Sequence, residues 1–432
     1  MAQNGGVVRV GLLGCGHVGS ALVRLIDEHG PVVEARAGVK IEVARVAVRN
    51  LAKERDVDLA ADRFTHDAEE VVNDPSLDVI VEVIGGIEPA RSLILAALGQ
   101  GKPVITANKE LLANFGRELF EAAEDRGVDL LFEASVCGGV PLIRPLRESL
   151  AGDRIRRIMG IVNGTTNFVL TRMTESGASF HDALAEAQTL GYAERDPTAD
   201  VEGFDAAAKA AILASIAFGA NVVAGDVYRE GISGLTPGDI ESARNLGYVV
   251  KLLALAEEVD GEVAVRVHPA MVPAGHPLAS VKDSFNAVFI EADAAGGLML
   301  YGRGAGGMPT ASAVLGDLID AAKNLAGGGR GATMGTVSRK RVRPIDEMES
   351  QFYLLIEVAD RPGVLAAIAS AFGEHGVSIK SMQQQGIADD ARLIFVTHKA
   401  RERDLEATMH SVRQLDVVHK VGSILRVVGE DD

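Results

Sequence analysis

The first third of the chain alternates short apolar runs with longer amphipathic stretches, a pattern that predicts strands followed by helices. The apolar runs are too short for buried helices and are rich in Val, Ile and Leu, as buried parallel strands are. Repeated strand–helix alternation predicts an α/β fold with a doubly wound, Rossmann-type parallel sheet. The predicted strands span residues 7–13, 40–48, 78–84, 103–106 and 128–133.

The middle of the chain has a different pattern, in which predicted strands follow one another more closely. Residues 155–162 form one predicted strand, and two apolar runs flank Asp260-Gly261, a dipeptide typical of a tight hairpin turn. Further strands are predicted at 285–291 and 298–301, before the helical pattern PTASAVLGDLIDAAKNL. This grouping predicts an α+β domain with a mixed sheet and helices on one side.

The end of the chain carries a linker and a small third domain. Residues 327–347 are glycine-rich and then basic, which is typical of a solvated tether. Beyond the tether, the pattern predicts strands and helices in the order βαββαβ. We therefore expect a parallel-sheet domain at 1–135, an α+β domain at 136–326 whose final segment packs back on the first, and a C-terminal domain at 348–432.

Composition and charge narrow the possible partners. The 432 residues are 47% hydrophobic and 24% charged, as expected for a globular protein of two or three domains. A net charge of -17, the absence of Trp and 4% aromatic residues argue against nucleic acid or a membrane surface as a partner. Two cysteines form no disulfide framework, and no signal peptide or membrane-spanning run is recognisable. These features predict a cytoplasmic protein in a reducing compartment.

A glycine motif directly follows the first predicted strand and precedes a helical pattern. It reads Gly14-Cys15-Gly16-His17-Val18-Gly19, the G-x-G-x-x-G spacing of dinucleotide-binding sites. In such motifs the first glycine permits a tight turn, the second lets the backbone approach a pyrophosphate, and the third permits close helix–strand packing. We therefore expect this loop to bind a dinucleotide cofactor.

The residues after the second predicted strand bear on which dinucleotide is bound. An acidic residue there would hold the free 2′-hydroxyl of NAD(H), but the chain has Arg49-Asn50. An arginine suits the 2′-phosphate of NADP(H), so NADP(H) is favoured and NAD(H) stays possible. The alternative is that Arg49 is an ordinary surface arginine.

The fourth strand of this domain ends at Thr106 and leads into Ala107-Asn108-Lys109. Ligand-contacting residues of doubly wound sheets lie at this end of the strands. Asn108 can cap the following helix. Lys109 opposes the preference of a helix N-terminus for anions, so its position suggests a local purpose rather than a solvated lysine.

An acidic stretch precedes a single lysine on a predicted helix of small residues. Its members are Glu194, Asp196, Asp200, Glu202, Asp205 and then Lys209. Asp205 and Lys209 are four residues apart, so they share one helix face. Carboxylates suit a substrate ammonium, and a lysine beside them suits proton transfer or polarisation of a carbonyl. Taken alone, the stretch favours the simpler interpretation, a solvated acidic loop with a helical salt bridge.

Two turns rich in small or polar residues complete the candidate site. The turn at 133–141, EASVCGGVP, would expose backbone groups at a domain boundary. Its Cys137 is either a packed thiol or, in an acylating semialdehyde dehydrogenase, a nucleophile. The turn NGTTN at 163–167 is either a helix cap or a holder of a polar substrate.

These motifs together resemble the homoserine dehydrogenase family over essentially the whole chain. The resemblance rests on TANK at 106–109, EASVCGGVP, NGTTN, GYAERDP at 191–197 and DVEGFDAAAK at 200–209. It implies interconversion of L-homoserine and L-aspartate 4-semialdehyde by hydride transfer with NAD(P)(H), a step toward threonine, methionine and isoleucine. It also implies that the second domain binds substrate and forms the dimer interface.

The resemblance also implies roles for individual residues. Lys209 would be the catalytic acid or base at the substrate oxygen, with Lys109 as its companion near the cofactor. Glu194 would hold the substrate amino group, and Asp205 would bind substrate and orient Lys209. The glycine loop at 302–307 would close on the cofactor through Gly306; the alternative is a simple flexible turn. A monovalent cation, usually sodium, would be held mostly by backbone carbonyls at Glu133, Val136, Gly138 and Val140.

The sequence DRPGVL at 360–365 resembles an ACT domain, a small regulatory module that binds amino acids and usually pairs with a second copy. The resemblance implies L-threonine as effector and a homodimer or homotetramer. The alternative is an ACT-like domain used only for dimerisation. Two rivals for the whole chain are a semialdehyde dehydrogenase acting through Cys137 and a non-catalytic amino-acid sensor with a vestigial nucleotide fold.

Overall fold

The computed structural model describes residues 6–331, 340–387 and 390–429. The chain divides into two compact units, and each unit is assembled from three segments. The first unit comprises 1–158, 208–227 and 285–340. The second comprises 159–207, 228–284 and 341–432.

Within the described residues 6–131, six strands lie side by side in one sheet. These are β1 (Val7–Leu13), β2 (Lys40–Ala47), β3 (Phe64–Thr65), β4 (Val79–Glu82), β5 (Val104–Thr106) and β6 (Leu130–Leu131). Their order is β3-β2-β1-β4-β5-β6, and every neighbouring pair is parallel. The predicted Rossmann-type sheet is therefore confirmed. Strand β3 has only two residues, and the apolar pattern did not predict it.

Four helices connect these strands, namely α1 (His17–Ala37), α2 (Ala68–Asn73), α3 (Ala90–Gly99) and α4 (Lys109–Arg126). Helix α1 continues through Pro31 and ends where Gly38 adopts a left-handed conformation with φ 71°. Because only glycine takes this conformation without strain, Gly38 fixes the end of the helix. Helix α4 begins after Asn108, whose side chain accepts a hydrogen bond from the Leu111 amide, as its sequence position predicts.

The middle of the chain forms a second set of strands and helices, which includes the helix that carries Asp205 and Lys209. Its strands are β7 (Ile155–Ile161), β8 (Tyr228–Arg229), β9 (Tyr248–Val259), β10 (Glu262–Pro273), β11 (Phe285–Ala292) and β12 (Gly296–Arg303). Its helices are α5 (Gly164–Ser176), α6 (Phe180–Thr189), α7 (Thr198–Val201), α8 (Phe204–Phe218), α9 (Pro237–Asn245) and α10 (Gly307–Gly327). The predicted hairpin is present, with Asp260 and Gly261 at positive φ between the antiparallel strands β9 and β10.

The C-terminal residues form the predicted βαββαβ order with one additional short strand. The elements are β13 (Glu349–Ala359), α11 (Val364–Glu374), β14 (Ile379–Ile387), β15 (Asp390–Thr397), β16 (Ala400–Arg401), α12 (Glu402–Arg413) and β17 (Val418–Val427). Alternate residues of β13, among them Phe352, Leu354 and Ile356, are buried in a core shared with α11 and α12. The predicted ACT-type fold is confirmed.

In the first unit, α10 returns to the parallel sheet and packs against α1. Val314 and Leu318 of α10 are fully buried in the same apolar cluster as Leu12 of β1 and Leu22 of α1. Each completely buried aliphatic side chain contributes about 1.5–3 kcal/mol of transfer free energy. This packing brings the glycine-rich residues before α10 to the end of α1 that carries the glycine motif.

In the second unit, the ACT-type strands continue the sheet of the middle domain. The order is β9-β10-β17-β13-β15-β14, and β17 pairs in parallel with β10 at Ala270–Arg426 and Met271–Val427. Arg426 is buried, and it forms ion pairs with Glu402 and with Glu230 (2.8 Å). The C-terminal module is therefore joined to the middle domain by main-chain hydrogen bonds and a buried cation.

Candidate active site

The glycine motif lies in the turn between β1 and α1. Gly14 has φ 101°, and a Cβ there would lie 2.9 Å from the Val83 carbonyl oxygen. A Cβ on Gly19 would overlap the Gly14 carbonyl oxygen, so the third glycine permits the close approach of helix and strand. A Cβ on Gly16 would meet open space.

The N-terminus of α1 has the properties of an anion site. No side chain caps it, and its first turn contains no acidic residue. Its free amides and helix dipole therefore suit a pyrophosphate group. Gly307, the first residue of α10, packs against the backbone of His17, and Gly306 precedes it with φ 115°. The predicted cofactor residues His17, Val18 and Gly306 are thus brought together at this helix end.

A buried carboxylate that the motifs did not point to organises the edge of the parallel sheet. Glu82, the last residue of β4, is 0% exposed. One of its oxygens accepts hydrogen bonds from the amides of Ile84 (2.8 Å) and Gly85 (3.0 Å). The other accepts a hydrogen bond from the Thr106 hydroxyl (2.6 Å). Its only sequence signal is an acidic residue at the end of the apolar run VIVE.

Lys109 is exposed at this same edge, as the first residue of α4. The preceding Asn108 donates a hydrogen bond to the Gly86 carbonyl (2.6 Å), and its amide donates to the Thr106 hydroxyl (3.0 Å). The turn after β4 and the start of α4 are therefore tied together. Arg49 is also exposed, two residues beyond the last residue of β2.

The turn at 133–140 is built around the buried side chain of Glu133. This carboxylate accepts hydrogen bonds from the amides of Leu142, Ile143 (2.8 Å) and Arg144 (2.8 Å). The Glu133 amide donates to Asp317 of α10 (2.8 Å), which also pairs with Arg144 (2.9 Å). Burial raises the pKa of Asp317 to about 7. Because the Glu133 carboxylate is already hydrogen-bonded within the protein, any cation at this turn would be bound by backbone carbonyls.

Two of the carbonyl groups predicted to bind a cation are available in this turn. Among the described residues, the carbonyl oxygens of Val136 and Gly138 accept no hydrogen bond. Gly138 has φ 50° and lies so close to the Gly304 carbonyl that a Cβ would be 2.5 Å from its oxygen. The Cys137 side chain is 0% exposed, so its thiol has no access to a substrate carbonyl. The interpretation of Cys137 as a packed thiol is favoured.

Asn286 of β11 is a further residue that the sequence did not single out. It is 1% exposed, and neither its amide nitrogen nor its amide oxygen has a hydrogen-bond partner among the described residues. A Cβ on Gly304 would overlap this carboxamide, so the glycine lets the loop before α10 lie directly against it. Burying an unsatisfied polar group costs about 1–3 kcal/mol, which suits a site that takes up water or a ligand.

In the second unit, the acidic stretch does not form one cluster. Asn163, the N-cap of α5, donates hydrogen bonds to Asp200 (2.7 Å) and to the buried Asp205 (2.9 Å). Asp196 instead caps a local turn at Thr198, and Glu194 is exposed. The NGTTN turn is therefore both a helix cap and a holder of carboxylates.

Helix α8 carries both Asp205 and Lys209, one turn apart. Asp205 is 7% exposed and Lys209 is 8% exposed. Their neighbours along the helix, such as Ala206, Ala207 and Ala210, are buried too. A buried lysine costs free energy unless it has a partner, so its place on an alanine-rich helix is unlike that of a solvated salt bridge.

Lys251 of β9 is another buried lysine, and no sequence motif surrounds it. Its ammonium group donates to the Asn167 side-chain oxygen (3.0 Å) and to the Val281 carbonyl. Burial lowers the pKa of Lys251 to about 8. Asn167 in turn donates to the Asp283 carbonyl (2.9 Å), so Lys251 anchors α5 to the loop before β11.

The described part of the chain contains neither a membrane-spanning helix nor a cluster of metal-ligating side chains. No helix there combines the length and the apolar character that crossing a bilayer requires. No group of three or more His, Cys, Asp or Glu side chains is placed to hold a metal ion.

Three family models match the chain. The NAD-binding domain of homoserine dehydrogenase matches residues 14–133, homoserine dehydrogenase matches 141–319, and the ACT domain matches 352–417. The homoserine dehydrogenase of Corynebacterium glutamicum is 50% identical over 428 residues, which cover 98% of this chain and 96% of that protein. The homoserine dehydrogenase of Mycobacterium tuberculosis is 49% identical over 433 residues, with 98% of both chains covered.

Solved structures give the same result. A homoserine dehydrogenase from Thiobacillus denitrificans has a TM-score of 0.92 at 40% identity, with 98% of both chains covered. The S. aureus homoserine dehydrogenase at pH 7.5 has a TM-score of 0.79 at 35% identity, covering 98% of this chain and 99% of that one. This chain therefore belongs to the homoserine dehydrogenase family, as an oxidoreductase of a CH–OH group with a nicotinamide-nucleotide domain and a C-terminal ACT regulatory domain.

Proposed function

We propose that the protein interconverts L-homoserine and L-aspartate 4-semialdehyde with NAD(P)(H), in the pathway toward threonine, methionine and isoleucine. The observation that carries the proposal is the pair of nearly buried residues Asp205 and Lys209, one turn apart on α8. The nicotinamide cofactor, when bound, supplies the hydride acceptor or donor. What remains for the protein is to move the proton of the substrate oxygen.

In the proposed mechanism, Lys209 takes the hydroxyl proton of L-homoserine during oxidation. In the reverse direction, its ammonium group polarises the aldehyde carbonyl and then donates the proton. Asp205 binds substrate and orients Lys209. The hydrogen bond from Asn163 supports this role because it restrains the Asp205 carboxylate.

Two further residues complete the proposed site. Lys109, at the sheet edge where ligands of doubly wound folds bind, is the proposed companion of Lys209. The hydrogen bond from Asn108 to the turn after β4 supports this proposal, because it fixes the start of α4. Glu194 is the proposed partner of the substrate amino group, and its exposure leaves the carboxylate available.

We further propose NADP(H) as the favoured cofactor, with NAD(H) possible. The exposed Arg49 beyond β2 supports a contact with the 2′-phosphate. A hyperthermophilic archaeal homoserine dehydrogenase, 30% identical with a TM-score of 0.62, was solved in complex with NADPH. The pyrophosphate is assigned to the amides at Gly14, Gly16 and Gly19, with His17, Val18, Thr106 and Gly306 around it.

A monovalent cation, sodium in the first instance, is proposed at the backbone carbonyls of Glu133, Val136, Gly138 and Val140. It is supported by the carbonyls of Val136 and Gly138, which accept no hydrogen bond within the part of the chain that the structure describes. The ACT domain is proposed to bind L-threonine at the turn 360–365 and to act in a homodimer or homotetramer. The domain boundaries at 135, 326 and 347 also remain a proposal.

The first test compares wild-type protein with Lys209→Ala, by the near-ultraviolet absorbance of NAD(P)H formed from L-homoserine. Loss of a general acid–base group typically lowers kcat by about 10²–10⁴-fold, with cofactor binding unchanged. The exposed Lys323→Met of α10 is the matched control, with wild-type turnover expected. Absence of wild-type turnover with either cofactor, with sodium or potassium supplied, would refute the proposal.

A further inference from the structure

Residues 228–232 of the second unit, called here the bridging segment, contact two parts of that unit. They begin with β8, which pairs in parallel with β10. The Glu230 amide extends this pairing, because it donates to the Val267 carbonyl (2.8 Å). Strand β9 covers the other edge of β10, so β8 lies on the same edge as β17 of the C-terminal module. The bridging segment therefore starts beside that module.

The first side chains of the bridging segment are held by a buried arginine of the C-terminal module. Arg426 of β17 is 7% exposed, and it donates to the Glu230 carboxylate (2.8 Å) and to Glu402 of α12 (2.9 Å). Its guanidinium group also lies over the Tyr228 ring, 5.3 Å from the centroid, and the Tyr228 hydroxyl donates to Glu230. Because a planar guanidinium between two carboxylates has little freedom to move, Arg426 fixes the position of Glu230.

The backbone of the bridging segment packs against the turn between α7 and α8. The Ile232 amide donates to the Val201 carbonyl (2.8 Å). A Cβ on Gly231 would lie 2.4 Å from the Val201 carbonyl oxygen and 2.6 Å from a Glu202 carboxylate oxygen. The two backbones therefore touch at a place where only glycine fits.

This turn leads directly into the helix that carries Asp205. Gly203 has φ 79°, and a Cβ there would lie 3.5 Å from the Glu230 carbonyl oxygen. The Arg229 guanidinium lies 3.7 Å from the ring centroid of Phe204, the first residue of α8. Asp205 is the next residue, so a shift of the bridging segment moves the helix end on which Asp205 lies.

Asp205 is thus held from two directions within the second unit. Its carboxylate accepts a hydrogen bond from Asn163 of α5 (2.9 Å), and its backbone follows the turn that the bridging segment supports. Misplacing a group of an active site by about 1 Å can lower the rate about 10²-fold. The support beneath Asp205 therefore bears on substrate binding as well as on stability.

We propose that Arg426 and Glu230 are positioning residues for the substrate site, and that they act through the bridging segment on Asp205. This inference rests on the proposed role of Asp205 in binding L-homoserine. It gives the C-terminal module a part in substrate affinity when no effector is bound. The ion pair is then more than a link between two domains, because its loss displaces a substrate carboxylate.

The test compares Glu230→Ala with Glu402→Ala in the full-length protein. Each variant removes one carboxylate partner of Arg426, but only Glu230 belongs to the bridging segment. Glu230→Ala is expected to raise the KM for L-homoserine at least about fivefold, with the KM for the nicotinamide cofactor within about twofold of the wild type. Glu402→Ala is expected to keep both KM values. Glu230→Gln keeps an acceptor for Arg426 and is expected to restore most of the affinity for L-homoserine.

Hydrogen–deuterium exchange of the same variants gives a readout that needs no turnover. Glu230→Ala is expected to speed exchange at residues 201–209 and at Ile232 at least about tenfold, whereas Glu402→Ala leaves it unchanged. A merely stabilising ion pair would give the same KM and the same exchange at these residues in both variants.

Two results would overturn the proposal. One is a KM for L-homoserine that stays at the wild-type value in Glu230→Ala or rises equally in Glu402→Ala. The other is exchange at residues 201–209 that Glu230→Ala does not change. If the wild type does not turn over L-homoserine, the enzymatic proposal fails, and the exchange comparison still decides whether Glu230 positions residues 201–209.

Discussion

Lys251→Met tests whether a charged lysine is held in the interior of the second unit at a cost in stability. Burial lowers the pKa of Lys251 from 10.5 to about 8. A pKa difference of one unit corresponds to about 1.36 kcal/mol, so burying the charge costs about 3 kcal/mol below pH 8. In the unfolded chain the lysine still binds its proton between pH 8 and 10.5, so folding stability rises with pH across that window.

The variant removes this pH-dependent contribution to the free energy of unfolding and adds a contribution that does not depend on pH. Methionine leaves the Asn167 oxygen and the Val281 carbonyl without their donor, which costs about 1–3 kcal/mol for each unsatisfied group. We expect wild type and Lys251→Met to have similar stability near pH 7. By pH 10.5 the wild type is expected to have gained about 3 kcal/mol relative to the variant.

The assay is urea unfolding of both proteins at several pH values, followed by circular dichroism and compared as the difference in free energy of unfolding. Lys282→Met is the matched control, because Glu175 raises the pKa of this exposed lysine, with the hydrogen bond between them as the main cause. The stabilising effect of this pair is present below pH 10.5 and is lost as the pH rises through the raised pKa of Lys282. Its contribution to stability therefore falls with rising pH, whereas that of Lys251 rises. A difference between wild type and Lys251→Met that stays flat across this range would refute the reasoning.

Four other substitutions have distinct expected outcomes. Gly19→Ala places a methyl group against the Gly14 carbonyl and should abolish cofactor binding, as measured by calorimetry. In Gly16→Ala the added methyl group meets open space, so this variant should still fold. Equal melting temperatures and equal cofactor binding of the two variants would contradict the packing argument. Glu82→Gln cannot accept from two amides and the Thr106 hydroxyl in the same geometry, so a loss of about 1–3 kcal/mol in thermal unfolding is expected. Cys137→Ala should keep most of the turnover of L-homoserine, because the thiol is buried. A complete loss of turnover with the fold intact would indicate that the thiol takes part in the reaction.

The period of the apolar residues was sufficient to predict most elements of this fold. The parallel strands, the hairpin at Asp260-Gly261 and the βαββαβ order depend on local alternation, which a sequence displays directly. Strand β3 has only two residues, too few for any period to be visible. The parallel pair between β10 and β17 joins segments far apart in the chain, and nothing local specifies such a partner.

The same distinction separates the site residues that were predicted from those that were missed. Gly14, Gly19 and the cap residue Asn163 were found because their roles are set by neighbours in sequence. The roles of Glu82 and Lys251 come from burial and from partners distant in the chain, so these residues looked like ordinary polar positions within apolar runs. The acidic stretch shows the same limit, because closeness in sequence does not reveal that Asp200 and Asp205 share Asn163 while Asp196 caps a separate turn.

The pairing of β17 with β10 has a consequence for how this protein can be shortened. Removing the C-terminal module would strip β10 of the backbone partners at Ala270 and Met271 and leave Glu230 without Arg426. An exposed strand of this kind is a template for intermolecular pairing, so a truncated enzyme would tend to self-associate. Shortened versions made for screening or crystallisation would therefore need a charged residue or proline placed on β10, in the manner of natural edge strands.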